Sequence, residues 1–208
     1  MQIILASQSP RRKFLLSEMG LGFDVAPSNY VEKFDQKRSV VEVVHELGLG
    51  KALDVAQYYP DAIVIGSDTI VVLDDRQLGK PENAEVAKTM LRQYRNRSHQ
   101  IITSVAVVCK NRGYQKVGSD VATIFFDGLD ESIINEYVAT ESMYDKAGAY
   151  AIQHPIIRPH VLDIQGRIDT IVGLPTNLVA EYLKDFGIEV DALDMTDENS
   201  LKKLGFYE

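Results

Sequence analysis

Apolar residues in this chain fall into short runs, and these alternate with stretches of helical spacing. Residues 2–5 read as a strand, followed by the turn Ala6-Ser7-Gln8-Ser9-Pro10 and a helix. Ser9 suits the N-cap, Pro10 the first helical position and Gly20 the stop, with Phe14, Leu15 and Met19 at helical spacing. Residues 23–26 give a second strand, and residues 27–38 a polar loop holding Glu32. Over residues 39–59, Val40, Val43, Val44, Leu47, Leu53 and Val55 lie on or near one helical stripe, with Gly48 and Gly50 marking a candidate break. Residues 62–65 and 70–73 read as two extended runs separated by the polar Gly66-Ser67-Asp68-Thr69, with a turn at Asp74-Asp75. A helix over 82–94, a hairpin around Asn111-Arg112-Gly113 and a helix over 129–140 follow. That last helix has Asp130 near its start and turns Ile133, Ile134, Tyr137 and Val138 inward. Residues 155–163 include a strand and 166–170 form a loop. IVGLP reads as a strand end with a turn at Gly173, and a helix begins at Pro175. Residues 191–208 form a polar peripheral tail. Since the hairpin interrupts a purely parallel pattern, the expected fold is α/β. It is a long mixed sheet flanked by helices, in a single domain of two lobes (residues 1–208) with a cleft between them.

Composition narrows the picture only modestly. The 208 residues can bury a real core, and 45% hydrophobic with 25% charged residues is ordinary for a globular chain. The single cysteine, Cys109, rules out an intrachain disulfide and reads as a buried strand residue, which fits a reducing, cytoplasmic setting. No apolar run approaches the ~20 residues that span a bilayer, and MQIILASQSPRR lacks the cationic start of a signal peptide. A net charge of −8 argues against polymeric nucleic acid as a partner but leaves room for a small anion in a locally basic pocket. His45, His99, His154 and His160 show no metal-ligand spacing, and Asp74-Asp75 reads as a turn rather than a ligand pair.

The candidate chemistry begins at Asp68, because an ionised carboxylate between apolar runs is costly unless something pairs with it. Arg11 and Arg12 in a first helical turn oppose the macrodipole, a cost that an anion bound at the helix start would offset. Periodicity alone points Lys51 toward solvent. Lys80 in LGKP has no P-loop around it. Glu32 and Asp68, with Asp145 as a third carboxylate, could hold a hard divalent cation such as magnesium or manganese. Arg11, Arg12, Lys51, Lys80 and Lys146 could face phosphate oxygens. Converged in one cleft, these groups would suit metal-assisted phosphoryl or nucleotidyl chemistry; dispersed, they are surface ion pairs.

The blocks ILASQSPRRKFLL, GSDTIVVLDDRQLGKP, YDKAGAYAIQ and IVGLP, in that order, resemble the signatures of the Maf family of nucleoside triphosphate pyrophosphatases, formerly called septum-formation inhibitors. The resemblance spans roughly residues 1–186 and implies an elongated mixed α/β fold related to the inosine triphosphatase architecture. It also implies a divalent-metal-dependent hydrolysis of a nucleoside triphosphate to the monophosphate and pyrophosphate. By position it makes Asp68 the catalytic carboxylate. Ser7, Arg12, Glu32, Lys51 and Lys80 line the phosphate and metal site, with Glu32 and Asp68 on the metal; Lys146 in the DKAG block joins the substrate set. Arg11, Thr69 and Gln153 stand where the family divides by substrate, and their identities resemble the dTTP/UTP subfamily. An amide such as Gln153 can both donate to and accept from a uracil-type edge.

Departures from the family pattern lie at Ala151, at His154-Pro155, at Arg167-Ile168-Asp169 and at Glu141-Ser142-Met143. They border the expected base pocket and bear on selectivity, modified pyrimidines included, more than on the hydrolytic chemistry. The expected partner is a nucleoside triphosphate, with no membrane and with a homodimer left open. A nucleotide-binding regulator of cell division with weak hydrolysis, or a hydrolase of 7-methyl-GTP or inosine triphosphate, is the alternative.

Overall fold

The computed structural model describes residues 1–32, 38–196, 198–203 and 205. Residues 33–37 of the expected 27–38 loop, and 197, 204 and 206–208 of the expected tail, lie outside the described residues. Seven strands make one sheet, in the order β2 (Asp24–Val25), β1 (Ile3–Leu5), β3 (Ile63–Leu73), β5 (Ser98–Cys109), β6 (Tyr114–Phe126) and β7 (Val161–Gln165), with β4 (Arg76–Leu78) also paired to β3. β1 runs parallel to β2 and β3, whereas β3–β4 and β6–β7 are antiparallel, so the sheet is mixed as expected. Asp74 and Asp75, both at positive φ (50° and 60°), turn β3 into β4. The helices are α1 (Pro10–Glu18), α2 (Val40–Ala56), α3 (Ala84–Gln93), α4 (Glu131–Ala139), α5 (Ile168–Val172), α6 (Thr176–Lys184) and α7 (Glu198–Lys203). None of the described helices is long and apolar enough to cross a membrane.

The chain forms two compact units. The first comprises Met1–Thr69, Ile102–Asp120 and Asp169–Leu193, and the second Ile70–Ile101, Val121–Ile168 and Asp194–Glu208. In the first, α2 packs on the sheet through Ala52, Val55 and Ala56 against Ile4, Val64, Ala106 and Val108. α2 starts at a full capping box: the Ser39 hydroxyl accepts from the Glu42 N–H, and the Glu42 carboxylate accepts from the Ser39 N–H. In the second unit, Tyr94, His99, Phe126 and Tyr150 form a buried aromatic cluster, and α3 lies on α4, with Arg92 and Arg95 paired to Glu131 at 2.9 and 2.7 Å. Cys109 is buried and free.

Four local expectations need correction. The two apolar runs flanking Asp68 form one continuous strand, because partners distant in sequence satisfy its polar middle. α2 passes through Gly48 and Gly50 without a break. A Cβ on Gly48 would collide with the Ser104 hydroxyl and one on Gly50 with the Tyr30 ring, so both glycines serve close packing. Leu53 faces outward, 40% exposed. The start of IVGLP is the end of a short helix, α5, and not a loop leading to a strand end; a run of five residues is too short for its periodicity to decide.

Candidate active site

The pleat of β3 sorts the site onto two faces, since successive strand residues point oppositely. Gly66 and Asp68 face α2. A Cβ on Gly66 would clash with the Gly48 carbonyl, so bare backbone on both elements draws the helix against the strand. The neighbouring strand supports the same approach through Ser104, whose hydroxyl donates to the Val44 carbonyl at 2.7 Å. Lys51, one turn beyond Gly48, thereby reaches the Asp68 carboxylate and lies 2.7 Å from Glu32 Oε1. Its side chain is only 13% exposed, so the outward position that periodicity suggests is corrected: the ammonium sits between two carboxylates.

Asp68 is 6% exposed. Burial raises its pKa; Lys51 and Arg12 oppose the rise and Glu32 adds to it. Neutralisation of this group is therefore easier than for an ordinary aspartate even beside two cations.

Ser67 and Thr69 take the opposite face, toward the segment that links α5 to α6. Ser67 donates to the Gly173 carbonyl at 2.8 Å, and Arg12 Nε donates to the same oxygen at 2.8 Å. Arg12 Nη1 donates to Ser7 Oγ and Nη2 to Thr69 Oγ1, both at 3.3 Å. Loss of solvation lowers the Arg12 pKa, with Asp68 pulling the other way. Ser9 caps α1 as expected, its hydroxyl accepting from the Arg12 backbone N–H at 3.4 Å, and the half-buried Arg12 guanidinium is met by protein oxygens. Gly173 holds φ 117°, a region that favours glycine, and a Cβ there would press on Thr69 Oγ1 at 3.2 Å and Arg12 Nε at 3.4 Å. Behind Thr69, Thr103 Oγ1 lies 3.0 Å from Thr69 Oγ1 and 2.7 Å from the Thr170 carbonyl oxygen. Ser67, Thr103, Thr170 and Gly173 are not among the site residues read from the sequence; the GSDT block contains Ser67, the IVGLP block contains Gly173 and follows Thr170, and no block contains Thr103.

The first unit thus brings together Ser7, Arg12, Glu32, Lys51, Asp68 and Thr69, and half-buried Arg11 stands beside Arg12. Lys80, Lys146 and Gln153 belong to the second unit. There the Gly148 N–H donates to the Gly79 carbonyl at 3.0 Å, which ties the LGKP turn carrying exposed Lys80 to the DKAG loop. Lys146 pairs with Asp145 and donates to the Ser142 carbonyl at 2.6 Å. Asp145 is therefore a partner of Lys146 here. Three of the departures meet around one ring: His154 packs edge-on to Tyr137 at 4.8 Å and lies 3.5 Å from Ser142 Oγ, and the Tyr137 hydroxyl accepts from the Ala151 N–H at 3.1 Å. Half-buried Gln153 adjoins this cluster in sequence.

Among the described residues, no group of three or more histidine, cysteine, aspartate or glutamate side chains is arranged to hold a metal ion. Magnesium commonly takes one or two carboxylates and completes its shell from substrate phosphates and water. Glu32 and Asp68, both within reach of one Lys51 nitrogen, fit that oxygen donor set.

The description Maf-like protein belongs to a family model that matches residues 2–186. The chain belongs to the Maf-like protein family. It is 40% identical over 188 residues to a dTTP/UTP pyrophosphatase of Desulforamulus reducens, covering 90% of this chain and 98% of that one. It is 37% identical over 199 residues to a dTTP/UTP pyrophosphatase of Syntrophus aciditrophicus, covering 96% of this chain and 97% of that one. Among solved structures, a nucleoside-triphosphatase / dITP/XTP pyrophosphatase of Mycobacterium abscessus matches with TM-score 0.42 and 15% identity, over 61% of this chain and 74% of that one, a level at which no residue correspondence follows.

Proposed function

We propose that this Maf-like chain is a nucleoside triphosphate pyrophosphatase that converts dTTP and UTP to the monophosphate and pyrophosphate in the cytoplasm. The observation that carries the reading is the buried Asp68, of raised pKa, paired with Lys51 and within the field of Arg12. Membership of the Maf-like family supports the reaction class, and the names of the relatives support the pyrimidine substrates.

Water attacks the α-phosphorus, the bond from that phosphorus to the bridging oxygen breaks, and pyrophosphate leaves with the electron pair. Asp68 takes the proton of the attacking water; its raised pKa suits it to hold that proton. Arg12 and Lys51 offset charge on the triphosphate, the main electrostatic task in such a transfer. Glu32 and Asp68 would hold magnesium or manganese, which when bound supplies Lewis-acid polarisation of phosphate oxygens. Ser7, Lys80 and Lys146 are assigned to the phosphates, and Arg11, Thr69 and Gln153 to substrate choice.

Pyrophosphate release from a nucleotide panel, with magnesium or manganese added, tests the reading. The wild-type protein should favour dTTP and UTP, and Asp68→Asn should lower turnover by about 10²–10⁴-fold with the fold retained. Binding of nucleotides without turnover, or near-normal turnover in Asp68→Asn, would overturn it.

A further inference from the structure

The segment that carries Glu32 is fastened to one stripe of α2. Glu46, Gly50 and Asp54 stand four residues apart in that helix, so they lie one above another on a single face. The Asp54 carboxylate accepts from the Ser28 hydroxyl at 2.9 Å and from the Asn29 N–H at 2.7 Å. The Ser28 oxygen in turn accepts from the Tyr30 N–H at 2.9 Å, which ties the next residue to the same anchor. One helical turn back, the Tyr30 ring is seated on Gly50, so closely that a Cβ there would come within 2.5 Å of the ring carbons Cε2 and Cζ. A further turn back, the Tyr30 hydroxyl donates to Glu46 Oε1 at 3.4 Å, and Arg38 pairs with the other oxygen of that carboxylate. Val31 then points outward, 72% exposed, and Glu32 returns to α2 with Oε1 2.7 Å from Lys51 Nζ.

The ion pair with Lys51 does not by itself account for the place of Glu32. The Glu32 side chain is 36% exposed, and a pair that open gains little while it must order a long side chain. The backbone has to be delivered by other contacts, and those of residues 28–30 deliver it. We propose that Tyr30, seated on Gly50, is a positioning residue that holds the Glu32 carboxylate at the Lys51–Asp68 pair before any nucleotide arrives. Asp54 fixes the upstream end of the segment, and the ring sets its height over the helix two residues before the carboxylate. Glycine at position 50 then has a use in the site, because any side chain there would lift the ring and the segment with it. The role belongs to the functional reading above, in which Glu32 and Asp68 serve a divalent cation.

The test measures the binding of manganese alone by electron paramagnetic resonance in the wild type, Tyr30→Ala, Tyr30→Phe and Gly50→Ala. Circular dichroism and urea unfolding follow the fold, and pyrophosphate release from UTP is measured alongside. Tyr30→Ala should weaken manganese binding about tenfold or more, as loss of a group that orients a metal ligand commonly does. Gly50→Ala should weaken it as well, although alanine is the better helix former. Weaker binding at undiminished helix content is a result that a merely structural role would not give. Tyr30→Phe keeps the ring on Gly50 and loses only the long hydroxyl contact, so its binding should stay within about threefold of the wild type. Unchanged binding in Tyr30→Ala or in Gly50→Ala, or a Tyr30→Phe protein as impaired as Tyr30→Ala, would overturn the proposal. So would a wild type that binds no manganese without nucleotide, since the carboxylate is then not held ready. Should Tyr30→Ala or Gly50→Ala fail to fold, the other decides together with Tyr30→Phe. A wild type that binds manganese in this pattern but releases no pyrophosphate from any nucleotide would overturn the functional reading and leave the role of Tyr30 at the cation site standing.

Discussion

His99 makes the stability of the second unit depend on pH, and the size of the effect follows from its surroundings. The ring is 3% exposed, with its centroid 4.3 Å from that of Tyr94, and it stacks on Phe126 at 5.5 Å. One nitrogen contacts the Tyr150 hydroxyl, and Nδ1 has no partner. Burial pushes the pKa down to about 3. In the unfolded chain the same imidazole titrates near 6.5, so between these values the unfolded state binds a proton that the folded state refuses. Stability is therefore full above about pH 6.5 and falls as pH drops, with a limiting slope of about 1.4 kcal/mol per pH unit. From pH 7 to pH 5 the loss attributable to this residue is about 2 kcal/mol, a figure insensitive to the folded value as long as that lies well below 5. The assay is urea unfolding of the wild type and His99→Phe at both pH values, the phenyl ring filling the same aromatic slot. The other histidines and the carboxylates titrate in both proteins, so the wild type should lose about 2 kcal/mol more than the variant. Parallel pH dependence in the two proteins would refute the reasoning.

Two further outcomes concern the first unit. Lys51→Met removes the cation that contacts Asp68 and should destabilise by about 3–4 kcal/mol, the upper limit being the cost of protonating an ordinary carboxylate at pH 7. The Lys51→Met/Asp68→Asn double variant should recover at least about 1 kcal/mol of that in metal-free urea unfolding, and a double variant no more stable than Lys51→Met would refute the pairing. Gly48→Ala gains up to about 1 kcal/mol of helix propensity but drives a Cβ into the Ser104 hydroxyl, so it should destabilise by about 1 kcal/mol net. Thermal unfolding of Gly48→Ala/Ser104→Ala should show the loss reduced, and an unrelieved loss would count against the close approach of α2.

The parts legible in the sequence are those whose causes are local. Ser9 with Pro10, Asp130, and the aspartate pair at 74–75 declare themselves within a few residues, and each does in the structure what its side chain chemistry suggests. The mixed sheet was legible too, because the hairpin interrupts an otherwise parallel order. The surroundings of Asp68 were not. A Gly-Ser-Asp-Thr stretch between apolar runs looks like a turn until Lys51 and the Gly173 carbonyl are known to satisfy it, and neither is near in sequence. Lys51 was misread for a related reason: periodicity locates a helix face but not the two glycines that bring that face against a strand. The family signatures named Arg12 and Thr69 but were silent on Thr103, whose buried hydroxyl reaches both Thr69 and the Thr170 carbonyl from a strand distant in sequence.

The pleat of β3 also bears on how this protein can change over generations. Asp68 and Thr69 are neighbours in sequence yet answer to different partners, one to α2 and the other to the loop before α6. A substitution at residue 69 can therefore be tried without disturbing the contact between residue 68 and Lys51 on α2, so substrate range can drift while that pair is held. Insertions and deletions have no such latitude: one residue added or lost ahead of this stretch in the strand would exchange the two faces at once, sending the carboxylate to the arginine side and the hydroxyl to the lysine side.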